Sequence, residues 1–199
     1  MAEELPNNAL ASREVLLCVT GGIACYKSPD LVSKLVQAGA GVSVAMTDAA
    51  QHFVAPMTFQ ALSGRRTFTS LWVSGEDYRS YHVSLTERAD LMVIAPATAN
   101  TLAKLAAGLA DGLVCALALA ATDACTILAA PSMNERMWNA PATQANLKKL
   151  QQWGVQTVGP HTGRLASGAV GLGRMVEPKE ILQAVTDLLL KKPPKGKAS

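Results

Sequence analysis

The sequence predicts an α/β protein built on a doubly wound parallel sheet, and three observations support this prediction. Short apolar runs recur along the chain and end at Gly, Pro or small polar residues, as strands buried on both faces of a parallel sheet do. Amphipathic segments typical of helices lie between these runs. The alternation continues to the carboxyl end, which favours one layered domain over separate helical and sheet domains.

The composition is that of one compact globular domain with a nearly neutral body. Of the 199 residues, 49% are hydrophobic and 17% are charged, a balance typical of well-buried proteins. The formal charge of +3 arises in the last nine residues, because leaving out their four lysines reduces 18 basic residues to 14, against 15 acidic ones. With only three Trp, three Tyr and three Phe besides, we expect no nucleic acid and no membrane among the partners.

Cysteine usage and the two ends of the chain predict a cytoplasmic protein. The four cysteines lack any metal-ligand spacing, so we predict reduced thiols and no metal site. No signal peptide is visible at residues 1–8, and no apolar run reaches the ~18 residues of a membrane span. We expect a flexible leader over 1–13, a single folded domain over 14–190 and a disordered basic tail over 191–199.

The first part of the predicted sheet is a strand, a helix and a second strand. Val15 to Thr20 is a continuous apolar run that ends at two glycines. The helix predicted from Ile23 to Ala38 has Pro29 near its first turn, where a missing N–H costs least. Val42 to Thr47 follows as the second strand, and a short helix is expected to continue through Phe53.

The second part repeats the alternation and contains two interruptions. Leu91 to Ala95 is a strong third strand. The elements predicted after it are helices over Asn100 to Gly108 and about Gly112 to Ala121, a strand over Thr126 to Ala130, a helix over Ala142 to Trp153, a strand over Val155 to Val158 and a closing helix over Lys179 to Leu190. Thr67 to Ser84 and the glycine-rich Gly159 to Glu177 do not fit the pattern, and long irregular segments of this kind are usually lids or binding loops.

Small polar residues follow three of the predicted strands, at the sheet edge where open α/β sheets bind ligands. Gly21 and Gly22 would let the backbone approach a phosphate, and the Thr47 hydroxyl could bond the same group. The small residues of Pro96 to Thr101 would let a flat ring lie against the backbone. Together they suit a flat, phosphorylated cofactor, although simple turns and helix caps would explain each one alone.

The segment Pro131 to Trp138 is the most informative stretch of the chain. It follows a predicted buried strand, and its Asn134 lies among two Met, a Pro and a Trp. A side-chain amide surrounded by apolar residues is suited to binding a small polar group of a ligand. The alternative is a strand-to-helix turn in which Asn134 caps the helix and the Met and Trp residues pack in the core. His82, within the first irregular stretch, carries an imidazole, a group suited to acid–base work near neutral pH, although a lone histidine often has no such role.

Taken together, the motifs resemble the homo-oligomeric flavin-containing cysteine decarboxylases. The resemblance covers about Val15 to Leu190 and rests on these segments: Gly21 to Lys27, His82, Pro96 to Thr101, Pro131 to Trp138, and Gly163 to Gly168 with Gly171 to Met175. It implies a Rossmann-like (flavodoxin-like) three-layer sandwich, FMN as cofactor, and assembly as a homotrimer or a homododecamer with FMN at subunit contacts. Within the family, the match favours the members that decarboxylate phosphopantothenoylcysteine in coenzyme A biosynthesis.

The resemblance also implies roles for individual residues. His82 would be the catalytic histidine beside the reacting thiol, Asn134 would bind the substrate carboxylate, and about 159–177 would form a flap over the substrate. Further substrate contacts would be Met133, Ala166 and Arg174. The FMN contacts would be Gly21, Gly22, Thr47, Phe53, Pro96, Ala97, Thr98, Ala99, Asn100 and Ser132.

The flap departs from the family pattern at Ser167, where the family carries a cysteine as the last proton donor. The reaction implied by the resemblance passes through a thioaldehyde, loses carbon dioxide to give an enethiol and ends with reduction to the saturated thiol. An aliphatic hydroxyl is a far weaker acid than a thiol, so we expect decarboxylation to survive and the final reduction to be slow or absent. Three explanations of Ser167 stay open. The serine is an engineered substitution, or it is natural in an enzyme that stops at the enethiol, or another group of the protein donates the last proton.

Three other functions remain open from the sequence. The first is oxidative decarboxylation of a C-terminal peptidyl cysteine, as in lantibiotic synthesis, although the flap otherwise keeps the phosphopantothenoylcysteine pattern. The second is a non-catalytic FMN-binding regulatory subunit, whose relatives carry long acidic tails where this chain has a short basic one. The third is a flavin prenyltransferase, which the Pro131 to Trp138 segment and the flap disfavour.

Overall fold

The computed structural model describes residues 8–72, 81–191 and 193–195, except the side chains of residues 81 and 82. The strands are β1 Glu14–Val19, β2 Gly41–Met46, β3 Thr67–Phe68, β4 Leu91–Ala97, β5 Thr126–Pro131, β6 Gln156–Thr157, β7 His161–Arg164 and β8 Val170–Arg174. The α-helices are α1 Ser28–Gln37, α2 Asp48–Gln51, α3 Pro56–Ser63, α4 Tyr81–Arg88, α5 Ala99–Ala107, α6 Leu113–Ala120, α7 Glu135–Trp138, α8 Pro141–Gln152 and α9 Pro178–Leu190, and a 3₁₀ helix spans Ile23–Lys27.

The central sheet confirms the predicted doubly wound α/β architecture. Its six strands are all parallel and lie in the order β3-β2-β1-β4-β5-β6, the order of a Rossmann sheet. Without the two-residue edge strand β3, the remaining five strands follow the flavodoxin order. The sheet therefore fits the predicted Rossmann-like fold with β3 included and the predicted flavodoxin-like fold with β3 left out.

Helices cover both faces of the sheet because each strand sends alternate side chains to opposite sides. From β1, Leu17 packs in one core with Leu35 of α1 and Val185 of α9. Leu16, one residue earlier, packs in the other core with Leu102 of α5. The result is the three-layer sandwich expected from the uninterrupted apolar strands.

The neighbouring strands β1 and β4 mark the point where the chain reverses its direction of winding, and their carboxyl ends are tied together. Thr20 follows β1 and is fully buried. Its hydroxyl donates to the Pro96 carbonyl at 2.7 Å and accepts from the Thr98 N–H at 3.2 Å. Ligands of open α/β sheets bind at this topological position. Thr20 therefore holds together the two strand ends beside which a ligand site can form.

The structure corrects the two stretches predicted to be irregular. Thr67 to Ser84 begins with strand β3 and ends in α4, and its residues 73–80 lie outside the described part of the chain. The Gly159 to Glu177 stretch contains an antiparallel hairpin of β7 and β8. The sequence analysis also missed α3, in which Phe59 is the buried residue.

Residues at both ends of the predicted domain contact it. Within the expected leader, Leu10 is fully buried and its N–H donates to the Ala38 carbonyl at 2.8 Å, so the chain contacts the domain at this residue. Within the expected tail, the Lys195 N–H donates to Asp90 at 2.8 Å. Across the residues that the structure describes, no helix combines the length and apolar character needed to cross a membrane.

Candidate active site

A cavity of about 1160 Å³ opens at the carboxyl ends of β1, β2, β4 and β5. Its volume slightly exceeds the range of about 300–1,000 Å³ that is typical of small-molecule sites. The segments that follow the four strands contribute Gly21, Gly22, Thr47, Thr98, Ala99, Asn100, Ser132, Met133 and Asn134 to the lining. The hairpin of β7 and β8 supplies Ala166, Ser167 and Arg174 on the far side.

The glycine loop after β1 passes very close to the segment after β2. A side chain at Gly21 would bring its Cβ to 2.3 Å from the Ala49 Cβ, so only glycine fits there. At Gly22 a Cβ would lie 3.4 Å from the Thr98 methyl group, an ordinary contact. The loop thus brings backbone from three strand ends to one wall, with little side-chain bulk between the backbone and the cavity.

Two threonines of this wall cap the helices that follow them. Thr47 accepts from the Ala50 N–H at 3.2 Å at the start of α2, and Thr98 accepts from the Thr101 N–H at 3.4 Å at the start of α5. The capping interpretation of these residues is therefore correct as local structure. Each hydroxyl acts as an acceptor in its cap. The Thr47 proton can therefore be donated to a ligand in the cavity. The Thr98 hydroxyl also lies 3.1 Å from the Thr101 hydroxyl, and its proton is available to a ligand when Thr101 is the donor of that pair.

Asn134 is also both a cap and a cavity residue. Its Oδ1 accepts from the Arg136 N–H at 2.9 Å at the start of α7. Among the described residues, its Nδ2 group has no protein hydrogen-bond partner, and the side chain is exposed toward the cavity that it lines. The capping bond engages the Oδ1 of Asn134 and leaves the two N–H donors of its Nδ2 group. Donors are what an anionic ligand requires of its site.

The hairpin over the cavity lies within residues 159–177, the predicted flap, and carries Ser167 at its tip. The Leu165 N–H donates to the Ala169 carbonyl at 2.8 Å, and the Gly168 N–H donates to the Leu165 carbonyl at 2.9 Å. Gly168 has a φ of 86°, the left-handed conformation that a glycine adopts most readily. This tight turn presents the exposed Ser167 hydroxyl at the edge of the cavity.

A buried lysine connects the base of the flap to the 3₁₀ helix that follows the glycine loop. Lys27 is 6% exposed, and its Nζ donates to the Met175 carbonyl at 3.0 Å and to Glu177 at 2.9 Å. Arg174 forms a second ion pair with Glu177. The hydrogen bond from Lys27, together with the charges of both cations, holds the pKa of the Glu177 carboxyl below its usual range.

One thiol lines the described part of the cavity. Cys115 of α6 is 5% exposed. Burial, and after it the charge of Asp111, raises the pKa of this thiol. Cys115 therefore stays protonated at neutral pH and does not act as a thiolate nucleophile.

The structure gathers most of the predicted site residues around one cavity but leaves four aside. Phe53 lies outside the cavity lining and is half exposed, while Pro96 and Ala97 are part of β4. The backbone of His82 lies in the first turn of α4 rather than in a loop. Its side chain lies outside the described residues, so its predicted role stays a prediction.

Sequence reasoning missed the residues that hold the site together. Lys27 is the one basic residue between Arg13 and Lys34 in the sequence and could have been noticed for that, because buried lysines need partners. No comparable signal exists for Thr20, whose partners lie 76 and 78 residues away in the chain. Glu135, which contacts the flap, resembles any polar residue of a helix start.

Comparisons with known proteins agree with this geometry. A family model described as Flavoprotein matches residues 3–190. The coenzyme A biosynthesis bifunctional protein CoaBC of Bacillus subtilis (strain 168) is 47% identical over 174 residues, which are 87% of this chain and 42% of that protein. The chain spans less than half the length of the curated relatives it matches.

Two solved structures resemble at least nine-tenths of the chain. One is a PPC decarboxylase mutant with serine in place of a cysteine, complexed with pantothenoylaminoethenethiol; it has a TM-score of 0.79 and 32% identity, over 90% of this chain and 99% of that one. The other is the FMN-dependent cysteine decarboxylase SpaF, with a TM-score of 0.77 and 30% identity, over 92% of this chain and 98% of that one.

Proposed function

The chain belongs to the flavoprotein family, and from this premise we propose that it catalyses the FMN-dependent decarboxylation of 4'-phosphopantothenoylcysteine to 4'-phosphopantetheine in coenzyme A biosynthesis. The proposal assigns residues 14–190 to a single FMN-binding decarboxylase domain. The identity to CoaBC and to PPC decarboxylase supports this substrate over a peptidyl cysteine.

The observation that carries the proposal is the orientation of Asn134. Its capping bond engages Oδ1 and leaves the Nδ2 donors available in the cavity. A cysteine carboxylate bound there accepts these N–H groups and lies between the strand ends and the flap. A hydrogen bond to a charged group contributes about 1.5–3 kcal/mol, enough to orient the substrate.

The lining is suited to FMN. The glycine loop and the hydroxyls of Thr47 and Thr98 offer uncharged donors to a phosphate, and the small residues after β4 leave room for a flat ring. When bound, FMN supplies the redox chemistry that lets carbon dioxide leave a carbon otherwise lacking an electron sink. We place its contacts at Gly21, Gly22, Thr47, Thr98, Ala99, Asn100 and Ser132, with Phe53, Pro96 and Ala97 as further predicted contacts.

The chain's own residues bind, orient and protonate the substrate in this proposal. Asn134 holds the carboxylate, and Met133 and Ala166 shape the apolar wall beside it. Arg174 lines the cavity and is the further predicted substrate contact, held at the base of the flap by its ion pair with Glu177. We assign His82 to the proton of the substrate thiol, a task that suits an imidazole near neutral pH. Ser167 stands where the last proton donor is expected.

Ser167→Cys tests the position of that donor. A thiol has a pKa of about 8.5 and donates a proton far more readily than an alcohol, so the variant should convert more substrate to the saturated thiol. The serine-substituted PPC decarboxylase complexed with an enethiol supports this expectation. Mass spectrometry of the products measures the ratio of enethiol to saturated thiol. A variant that accumulates as much enethiol as the parent would place Ser167 away from the donor position.

Two parallel assays separate the proposed substrate from its alternatives. The purified protein should be yellow with FMN and should decarboxylate phosphopantothenoylcysteine but not a peptide with a C-terminal cysteine. The opposite selectivity would favour the peptidyl-cysteine decarboxylase, and FMN binding without turnover of either substrate would favour a regulatory subunit.

We also propose that the protein works in the cytoplasm as a homo-oligomer, a trimer or a dodecamer. Ile23 and Tyr26 line the mouth of the cavity and yet are 58% and 64% exposed. Apolar side chains exposed beside a site are typical of protein interfaces. Light scattering coupled to size-exclusion chromatography should give a multiple of three chains, whereas a monomer would contradict the proposed assembly.

A further inference from the structure

The return strand of the flap, β8, lies directly against the segment that carries Asn134. The Met133 N–H donates to the Gly173 carbonyl at 2.9 Å, and the Leu172 N–H donates to Glu135 Oε1 at 3.1 Å. A Cβ at Gly173 would lie 2.2 Å from the Met133 carbonyl oxygen. The two segments therefore touch backbone to backbone.

This docking is necessary because the flap has little stability of its own. A two-stranded hairpin is marginal in water, and the flap's strands contain glycines and exposed side chains rather than an apolar face. Among the described residues, β7 and β8 form a sheet separate from the central one. The geometry of the flap tip thus depends on what binds β8 to the cavity wall.

Among the described contacts, the Glu135 side chain bonds β8 itself to the cavity wall, whereas Lys27 bonds the residue just after β8. Besides accepting from the Leu172 N–H, its carboxylate lies against Gly171, where a Cβ would be 2.6 Å from Oε2. Gly171 leaves the space that the carboxylate occupies. Glu135 also starts α7 directly after Asn134, so one short segment carries both the carboxylate-binding amide and the flap contact.

We propose that Glu135 is a positioning residue that fixes the flap over the cavity, setting Ser167 in register with a substrate held by Asn134. The proposal deepens the proposed function and rests on it for the identity of the substrate. The role requires a hydrogen-bond acceptor rather than a negative charge, because the partner is a neutral backbone N–H.

Limited proteolysis tests the anchoring without any substrate. Trypsin can cut the Arg164–Leu165 bond only when the flap leaves its docked geometry. Glu135→Ala should speed this cleavage about tenfold, since loss of one hydrogen bond to a charged acceptor shifts an equilibrium by about that factor. Glu135→Gln keeps a neutral acceptor and should be cut far more slowly than Glu135→Ala, at most a few-fold faster than the parent. The matched control Arg136→Ala, whose side chain has no partner among the described residues, should be cut at the Arg164–Leu165 bond at the parental rate.

Product analysis tests the consequence for the reaction. In a Ser167→Cys background, Glu135→Ala should raise the ratio of enethiol to saturated thiol, while Glu135→Gln restores the background ratio. A residue that only stabilised the fold would lower total turnover and leave this ratio unchanged. Unchanged cleavage and an unchanged ratio in Glu135→Ala would overturn the proposal, as would equal damage from Glu135→Gln. Because cleavage is measured without substrate, it tests the anchor even if the proposed reaction is not observed.

Discussion

Single residues at the candidate site combine a structural and a chemical task. Asn134 illustrates this, because Oδ1 closes the helix start while Nδ2 remains a donor. The two interpretations that the sequence left open, a cap or a ligand contact, are thus compatible, since they use different atoms of one amide. The sequence identified the residue, but the division between its atoms required coordinates, because an amide offers donors and an acceptor in any context.

Aspartate and alanine separate the two tasks of Asn134. Asn134→Asp keeps a cap acceptor but replaces the donors with a negative charge, so its thermal midpoint should stay close to that of the parent while kcat/KM falls at least about 100-fold. Asn134→Ala removes both functions and should also lose about 1 kcal/mol of stability. Thermal melts and steady-state kinetics measure the two effects. An active Asn134→Asp variant would rule out the carboxylate contact.

Between elements, a few buried polar contacts align the strand ends that form the cavity. Thr20 joins β1 to β4, and Lys27 joins the 3₁₀ helix to the base of the flap. These contacts connect positions far apart in the chain, which explains why sequence periodicity predicts the strands but not their junctions. The hairpin was missed for a related reason. Its strands show no apolar alternation, because the flap docks through backbone rather than through an apolar face.

The coupling of β1 to β4 can be tested with Thr20→Val. The change leaves the Pro96 carbonyl and the Thr98 N–H without their partner, a cost of about 1–3 kcal/mol in the free energy of unfolding, and should weaken FMN binding. Thr186→Val is the matched control, since Thr186 is equally buried but bonds within its own helix, to Leu182. Denaturant unfolding and fluorescence titration with FMN measure both quantities. If both variants bind FMN equally well, Thr20 does not organise the site.

The ion pairs at the base of the flap predict a specific pH dependence. The pKa of Glu177 is held below its ordinary value, chiefly by the Lys27 hydrogen bond, so the ionised carboxylate stabilises the fold at neutral pH. This contribution is lost as the pH falls through the lowered pKa. Glu177→Gln should therefore melt below the parent at pH 7, and the difference should shrink below about pH 4. Because Glu177 is half exposed, the effect is small.

Melting curves across this pH range provide the measurement, with Glu87→Gln on the exposed face of α4 as the control. A difference between parent and Glu177→Gln that persists unchanged into acid would show that packing, rather than the ion pair, is responsible.

At the scale of the molecule, the sequence predicts the central sheet and the helical layers on its two faces. It does not predict the short elements at the edge of the sheet, β3 and α3. Central strands such as β1 are apolar throughout because both of their faces are buried, so each was recognised within one or two residues. The edge strand β3 has two residues and α3 has a single buried aromatic, Phe59, so neither left a periodic signal. The site could be located because strand ends converge at a switch point in any sheet of this class.

The most direct measurement is mass spectrometry of phosphopantothenoylcysteine incubated with the purified, FMN-loaded protein. We expect loss of carbon dioxide, with the enethiol as the main product, because the proposal assigns the substrate carboxylate to Asn134 and because the Ser167 hydroxyl is a poor proton donor. Recovery of unchanged substrate from folded, FMN-loaded protein would contradict the proposed activity.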